Sequence, residues 1–435
     1  MAAVEYGRVP TGSTVTVALE DAMQRYAARN PASRECWETA KRALPGGNTR
    51  TVLYFDPFPI CMVHGEGCSL VDADGHSYVD LLGEYTAGLF GHSNPIIRAA
   101  VVGALENGLS LAAHNHLEAQ LASAICGRFA SIDLVRFTNS GTEANLMAIA
   151  TAIAHTGRRR ILVFEGAYHG GVLMFGAKPS PVTVPHDFIV ARYNDTSGAR
   201  ELIRRHAADL AAVLVEPMQG AAGCIPGTAD FLGALAEESR AAGAVLIFDE
   251  VQTSRLSRGG RQALLGLSPD LTTLGKYLGG GLSFGAFGGR AALMSQFDPS
   301  RVGHLAHAGT FNNNVLSMAA GHAGLTKVLL PGVLEALNSR GDALRAALDE
   351  LFASHRSRLF MTGLGSLLNF HAQGSAADAR ATVALLFFDL LERGFYSSPR
   401  GLVALSLAVG DSETSSLLGC MADILKSRAG LYGVA

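Results

Sequence analysis

Short apolar runs bounded by Gly, Asp, Asn or Pro recur along this chain, and amphipathic stretches separate them. The runs at 133–138, 160–164, 211–216, 244–249, 271–275 and 284–288 read as buried strands, and the segments 142–156, 199–209 and 229–242 carry the period of helices. Strand and helix in alternation predict an α/β fold, a mostly parallel central sheet with helices on both faces. Ahead of this region, 18–30 and 33–44 read as two helices, parted at Asn30-Pro31 and stopped by Pro45-Gly46-Gly47. Residues 52–80 alternate in short runs around an Asp72–Gly75 turn, the pattern of a small antiparallel meander. Helical periodicity returns at 314–355 and 375–393, with strands around 361–370 and 402–407. The expected organisation is therefore an N-terminal segment 1–80, a large α/β domain 81–322, and a smaller α+β domain 323–435. Both termini contribute to the small domain, and residues 1–18 read as a loose arm.

Composition narrows the classes. A chain of 435 residues with a net charge of -3 and a pI near 6.5 has no basic footprint for nucleic acid or an anionic membrane. Hydrophobic residues make up 48%, yet no run reaches the ~20 apolar residues of a membrane span. The first residues lack a basic start followed by an apolar core, so no signal peptide is expected. Six cysteines without CxxC spacing or a compact framework suit reduced thiols in a cytoplasm. His114 and His116 form an HxH pair, but a metal site needs further ligands and none is expected here.

The chemistry concentrates where strands end. Asp249 closes the apolar run that starts at Ala244, where an ionised carboxylate is costly unless something holds it. Lys276 lies between the next strand and Gly279-Gly280-Gly281. Taken singly, these are a turn-capping Asp and a solvated Lys. Together they suit a pyridine cofactor, with the acid on its ring nitrogen and the amine in a Schiff base with its aldehyde. Ser140-Gly141-Thr142-Glu143 turns a strand into a helix. Its spacing fits an ordinary capping box, and it equally fits a phosphate held on free amides and hydroxyls. With Asp249 and Lys276 at neighbouring strand ends, the phosphate reading is the better one. Tyr168, between glycines after a strand, is placed to lie flat on a planar ring. Glu216 is another strand-end carboxylate, suited to pairing with an arginine or to starting a turn. Val251 and Gln252 follow Asp249 and suit the opposite ring face and the phenolic oxygen. Residues 307–314 form a polar loop that otherwise reads as a helix-capping asparagine run.

Six segments, SGTEAN, YHGG, VEPMQG, LIFDEVQT, TTLGKYLGGG and GTFNNN, stand in this order, and the chain from about Pro45 onward resembles the class III, fold-type I, pyridoxal-phosphate aminotransferases. The resemblance implies phosphate contacts at Ser140, Gly141 and Thr142 and stacking by Tyr168. It also implies a pyridinium partner in Asp249 and the Schiff-base amine in Lys276. Thr310 matches a residue that reaches the neighbouring subunit's phosphate, which implies a homodimer with shared active sites. The family's usual glycine after DEVQT is Ser254 here, which leaves the Arg255 loop open. The mechanism this implies is ping-pong, with Lys276 moving the proton between substrate and cofactor carbons.

A transaminase binds two unlike acids in turn, which favours fixed arginines. Arg50 and Arg400 are the candidates, although each alone reads as a surface arginine. NTRTVLYFDPFP, GEYTAGLFGHS, KPSPVTVPHDF and YSSPRG resemble the aromatic β-amino acid (β-phenylalanine) aminotransferases. That likeness implies that Arg50 holds the β-amino acid carboxylate and that Arg400 holds the α-carboxylate of 2-oxoglutarate or pyruvate. It also implies that Val52, Tyr85 and Ala222 line the space for the phenyl ring. Two other readings stand beside it. A glutamate-1-semialdehyde 2,1-aminomutase needs no second acid, and Arg400 argues against it. A cofactor-holding regulator has little need of Asp249, Lys276 and a phosphate loop together.

Overall fold

The protein is described by a computed structural model over residues 14–176 and 178–433. Two compact units divide it: residues 95–336, and the described residues up to 94 together with those from 337 onward. The divisions expected from the pattern fell at 80/81 and 322/323. Of the expected N-terminal arm, residues 1–13 lie outside the described residues, and from Thr14 the chain is already helical.

The discontinuous unit opens with α1 (Thr14–Arg29) and α2 (Pro31–Ala40), the second started by a proline in its first turn, where no amide hydrogen is missed. The meander is shorter than its pattern. Thr51–Leu53 form a single 3-10 turn, and strand pairing starts only at β1 (Met62–Glu66), followed by β2 (Ser69–Asp72) and β3 (Ser77–Asp80), all antiparallel.

The 95–336 unit begins with two helices the pattern did not single out, α3 (Pro95–Glu106) and α4 (His116–Cys126). The alternation then runs β4 (Leu134–Thr138), α5 (Gly141–Thr156), β5 (Arg160–Phe164), β6 (Phe188–Ala191), α6 (Thr196–Arg205) and β7 (Leu210–Val215). A two-residue pairing of β8 (Met218–Gln219) with β9 (Ile225–Pro226) leads to α7 (Ala229–Ala242), β10 (Val245–Asp249), α8 (Gly260–Leu265), β11 (Leu271–Gly275), β12 (Gly285–Gly289), α9 (Ala291–Met294) and α10 (Val315–Ala323). Seven strands join in the order β4-β12-β11-β10-β7-β5-β6. Only β12 runs against its neighbours. Strands β7, β10, β11 and β12 are buried along their whole length, as expected of a sheet covered on both faces. Alternate residues serve the two layers. Ile161, Val163, Leu214 and Ile247 pack with Ala148 and Ile149 of α5, while Leu162, Phe164, Val213 and Phe248 pack with Phe231 and Leu235 of α7. Burying each such side chain stabilises the fold by roughly 1.5–3 kcal/mol.

Past α10 the expected continuous helix breaks. A π turn at Gly324–Val328 and Gly332 at positive φ separate it from α11 (Val333–Ser354). The strand expected around 361–370 is a hairpin, β13 (Leu359–Leu364) and β14 (Leu367–Ala372), because Gly365 supplies a left-handed turn residue. After α12 (Ala376–Leu391), β15 (Phe395–Tyr396) adds in parallel to β3, and β16 (Leu402–Ala404) pairs with β14. Helices α13 (Asp411–Ser427) and α14 (Ala429–Tyr432) follow. Among the described residues, no helix is long and apolar enough to cross a membrane.

Candidate active site

The strand directions gather the predicted residues of the 95–336 unit. Strands β4, β5, β7, β10 and β11 all end at the same edge of the sheet, where ligands of open α/β sheets bind. Ser140, Tyr168, Glu216, Asp249 and Lys276 each follow or close one of these strands. Asp249 pairs in register with Thr273, and Lys276 lies three residues further on, just past the end of the adjacent strand.

Asp249 is 4% exposed, and both of its oxygens accept hydrogen bonds. Its Oδ2 accepts from Asn145 Nδ2 and His169 Nδ1, each at 2.8 Å, and its Oδ1 accepts from the Val251 amide at 3.0 Å. Asn145 donates its second hydrogen to the His169 carbonyl at 2.9 Å and accepts from Thr273 Oγ1 at 2.7 Å. These bonds satisfy an acid that burial would otherwise penalise. Asn145 and His169 stand within the SGTEAN and YHGG segments, and neither carried an expected role. The signal available was only their place one turn into a helix and one residue past Tyr168. His169 Nε2 and Gln252 Oε1 are buried without a hydrogen-bond partner.

The start of α5 serves both readings of its sequence. Ser140 caps the helix, accepting from the Glu143 amide at 3.2 Å, and Glu143 accepts from the Asn139 amide at 2.9 Å. The amides of Gly141 and Thr142, in the first helical turn, have no intrahelical acceptor and carry the positive end of the helix dipole. Gly141 permits a close approach: a Cβ there would sit 2.9 Å from Val251 Cγ2. Gly220 does the same for Gln252, whose Oε1 would meet a Cβ at 2.0 Å. Thr142 Oγ1 accepts from the Gly171 amide at 3.2 Å, tying the Tyr168 loop to the helix start. Tyr168 is 44% exposed.

Glu216 holds that loop from beneath. It accepts from the Tyr168 amide at 3.0 Å and the Gly220 amide at 3.1 Å. Burial, reinforced by Asp249 and opposed by His169, pushes its carboxyl up to about 7. Ala222 lies 3.4 Å from where a Cβ on Gly166 would sit, so it lines the approach to the same loop. The Arg255 loop packs inward. Its guanidinium is 1% exposed, and burial pushes it down to about 10. Thr310 is exposed, beside Phe311 at 63% exposure, while Asn314 caps α10 by accepting from the Leu316 and Ser317 amides. His114 stands exposed, 4.0 Å from Glu118, and no metal-binding group of three side chains occurs among the described residues.

Arg50, Val52, Tyr85 and Arg400 lie in the discontinuous unit. Arg50 is ion-paired to Glu84, with its guanidinium carbon 5.5 Å from the Tyr85 ring centre. Tyr85 Oη donates to the Val52 carbonyl at 2.9 Å. Arg400 is exposed on the turn between β15 and β16. Its amide bonds Ser398 Oγ at 3.1 Å, and its carbonyl accepts from Asn369 Nδ2 at 3.3 Å.

The family Aminotransferase class-III matches residues 54–425. The chain belongs to the class-III aminotransferases, transaminases of the fold-type I pyridoxal-phosphate class. It is 53% identical to the β-phenylalanine transaminase of Variovorax paradoxus, covering 97% of this chain and 99% of that one. The crystal structure of the β-phenylalanine aminotransferase from that organism superposes with a TM-score of 0.95, at the same identity and over 97% of this chain and 100% of that one. An ω-transaminase from Sphaerobacter thermophilus superposes with a TM-score of 0.86 at 36% identity, over 92% and 99% of the two chains. A glutamate-1-semialdehyde 2,1-aminomutase from Desulforudis audaxviator is 38% identical over 88% of this chain and 94% of its own.

Proposed function

We propose that this transaminase moves the amino group of an aromatic β-amino acid, β-phenylalanine in kind, to 2-oxoglutarate or pyruvate. The 53% identity to a β-phenylalanine transaminase over nearly the full length of both chains supports this substrate. The cofactor reading rests on one observation above all: a buried carboxylate, Asp249, held in place by Asn145 and His169 beside the strand that Lys276 directly follows. When bound, pyridoxal phosphate supplies an aldehyde and an electron-withdrawing ring.

In this reading Ser140, Gly141 and Thr142 hold the phosphate on amides and hydroxyls. Tyr168 and Val251 flank the ring. Gln252, whose buried amide oxygen has no hydrogen-bond partner, would serve the phenolic oxygen. Glu216 supports this group of residues through the Tyr168 amide. Asp249, acting as acceptor, would keep a proton on the ring nitrogen. Lys276 would hold the cofactor through its amine, and the same Nζ would serve as the base that holds and moves a proton. Arg50 takes the β-amino acid carboxylate, Arg400 takes the α-carboxylate of the keto acid, and Val52, Tyr85 and Ala222 line the aryl space. Thr310 serves a second copy's phosphate, so the working form is a homodimer with shared sites. Six cysteines without a disulfide suit a cytoplasmic home.

The test is a half-reaction in which β-phenylalanine is added to the enzyme without keto acid. The visible band of the lysine-bound cofactor should disappear and return on adding 2-oxoglutarate or pyruvate. A band that β-phenylalanine leaves unchanged refutes the substrate. Turnover of glutamate-1-semialdehyde without any keto acid would favour the aminomutase instead.

A further inference from the structure

The ion pair on Arg50 is built by an unusual piece of backbone. Gly83, Glu84, Tyr85 and Thr86 all have positive φ, at 55°, 48°, 52° and 80°. Three consecutive non-glycine residues in the left-handed region each carry a steric penalty, and such a run persists only where its surroundings over-determine it. Here they do. Asp80 Oδ1 accepts from the Leu82 and Gly83 amides at 2.8 and 2.9 Å, and Asp80 Oδ2 is fixed by His92 Nε2 at 2.9 Å. The Gly88 amide closes the turn on the Gly83 carbonyl at 2.8 Å, and Thr86 is fully buried.

The turn puts the Glu84 carboxylate on the Arg50 guanidinium and sets the Tyr85 ring beside it, with the Tyr85 hydroxyl anchored on Val52. An ordinary surface ion pair forms between flexible side chains on relaxed backbone and needs no such scaffold. Both partners remain substantially exposed, at 44% and 57% of their side chains, so the pair can open to water.

We propose that Glu84 is a specificity-determining residue: an internal carboxylate that occupies Arg50 between turnovers and that the donor's carboxylate must displace. This rests on the reading of Arg50 as the donor's carboxylate site. Binding then exchanges one carboxylate for another, with small electrostatic gain. Selection passes to the rest of the donor, because an acid lacking an apolar body has little with which to displace Glu84. The same exchange lets the deaminated acid leave readily, since Glu84 returns to the guanidinium.

The experiment measures binding of 3-phenylpropanoate, which has the acid and the ring but no amine, to the wild-type holoenzyme and to Glu84→Gln. At low salt, Glu84→Gln should bind it about threefold to fivefold more tightly, the size expected for an exposed pair. That gain should fade as ionic strength rises. It should vanish in the Arg50→Ala/Glu84→Gln double variant. Glu84→Asn, whose side chain tolerates the left-handed region, repeats the measurement should Gln disturb the turn. Equal or weaker binding in both Glu84 variants, absence of binding in all forms, or a gain that survives loss of Arg50 overturns the proposal. Failure of β-phenylalanine to react, alongside tighter binding in Glu84→Gln, would overturn the substrate reading alone. Normal reaction with unchanged binding would overturn this inference alone.

Discussion

Two acidic side chains of this protein sit in opposite circumstances. Asp249 is buried at the end of a core strand, and its oxygens are matched to Asn145, His169 and a backbone amide. Glu84 is exposed on a strained turn with a single arginine opposite it. In the first setting a hydrogen bond is strong and a missing partner is costly, so the arrangement is permanent. In the second, water and salt weaken the pair and exchange is easy. On the proposed reading the difference divides the labour of the enzyme: the cofactor takes the dry, well-bonded site around Asp249, and the donor's carboxylate meets the wet, replaceable contact at Arg50.

Four changes sharpen or break this division. The largest effect belongs to Lys276→Ala. Turnover should fall by about 10³-fold or more, within or beyond the range for removing an acid–base group, while cofactor is still bound by the isolated protein. Steady-state rates and cofactor content check it, and undiminished transamination would remove Lys276 from the mechanism. Next is Asn145→Ala, which strips a donor from Asp249 and strands the His169 carbonyl and the Thr273 hydroxyl. Each buried group left unpaired costs roughly 1–3 kcal/mol, so the urea midpoint should drop clearly, whereas Glu84→Gln should leave it unmoved. If the two variants melt alike, the contrast between buried and exposed sites is wrong.

Arg400→Ala should lower kcat/KM for the keto acid by about 10- to 100-fold and for the β-amino acid far less. Equal losses would mean that Arg400 does not discriminate between the two acids. The smallest effect is on pH dependence. Because the Glu216 carboxyl is held near 7 in the fold against an ordinary value of 4.5, the native state keeps a proton that the unfolded chain has lost between those values. Stability from this group is therefore present below about 4.5 and declines as pH rises toward 7 and above. Glu216→Gln should flatten that part of the melting temperature's pH profile, and an unchanged slope would show that another group sets it.

How far the chain could be read in advance follows from what kind of order each feature has. The covered strands were legible because a strand buried on both faces must be apolar throughout, as Leu210–Val215 is, whereas the half-exposed edge strand Phe188–Ala191 was passed over. The reversed direction of β12 was not, since Gly285–Gly289 is equally buried whichever way it runs. Helix α3 was passed over because Ile96, Val102 and Leu105 are exposed, which blurs the amphipathic pattern. At the site, the residues that end strands announced themselves by polarity in apolar surroundings. Asn145 and His169 did not, because their meeting with Asp249 spans 104 and 80 residues of chain and exists only once the sheet is assembled. Glu84 was hidden for another reason. Of the four residues in its turn only Gly83 signals positive φ, and nothing in Glu-Tyr-Thr does.

The pairing of β15 with β3 has a consequence for how this protein comes into being. Val79 must wait for Phe395, roughly 300 residues later, before its sheet has a fourth strand. At a ribosomal pace of about 5–20 residues per second, that delay is roughly 15–60 s. During it the 95–336 unit can settle first while the early segment stays incomplete. Emerging chains should therefore depend on chaperone shelter for their opening residues, and a circular permutant that joins the two distant pieces should fold faster than the natural order.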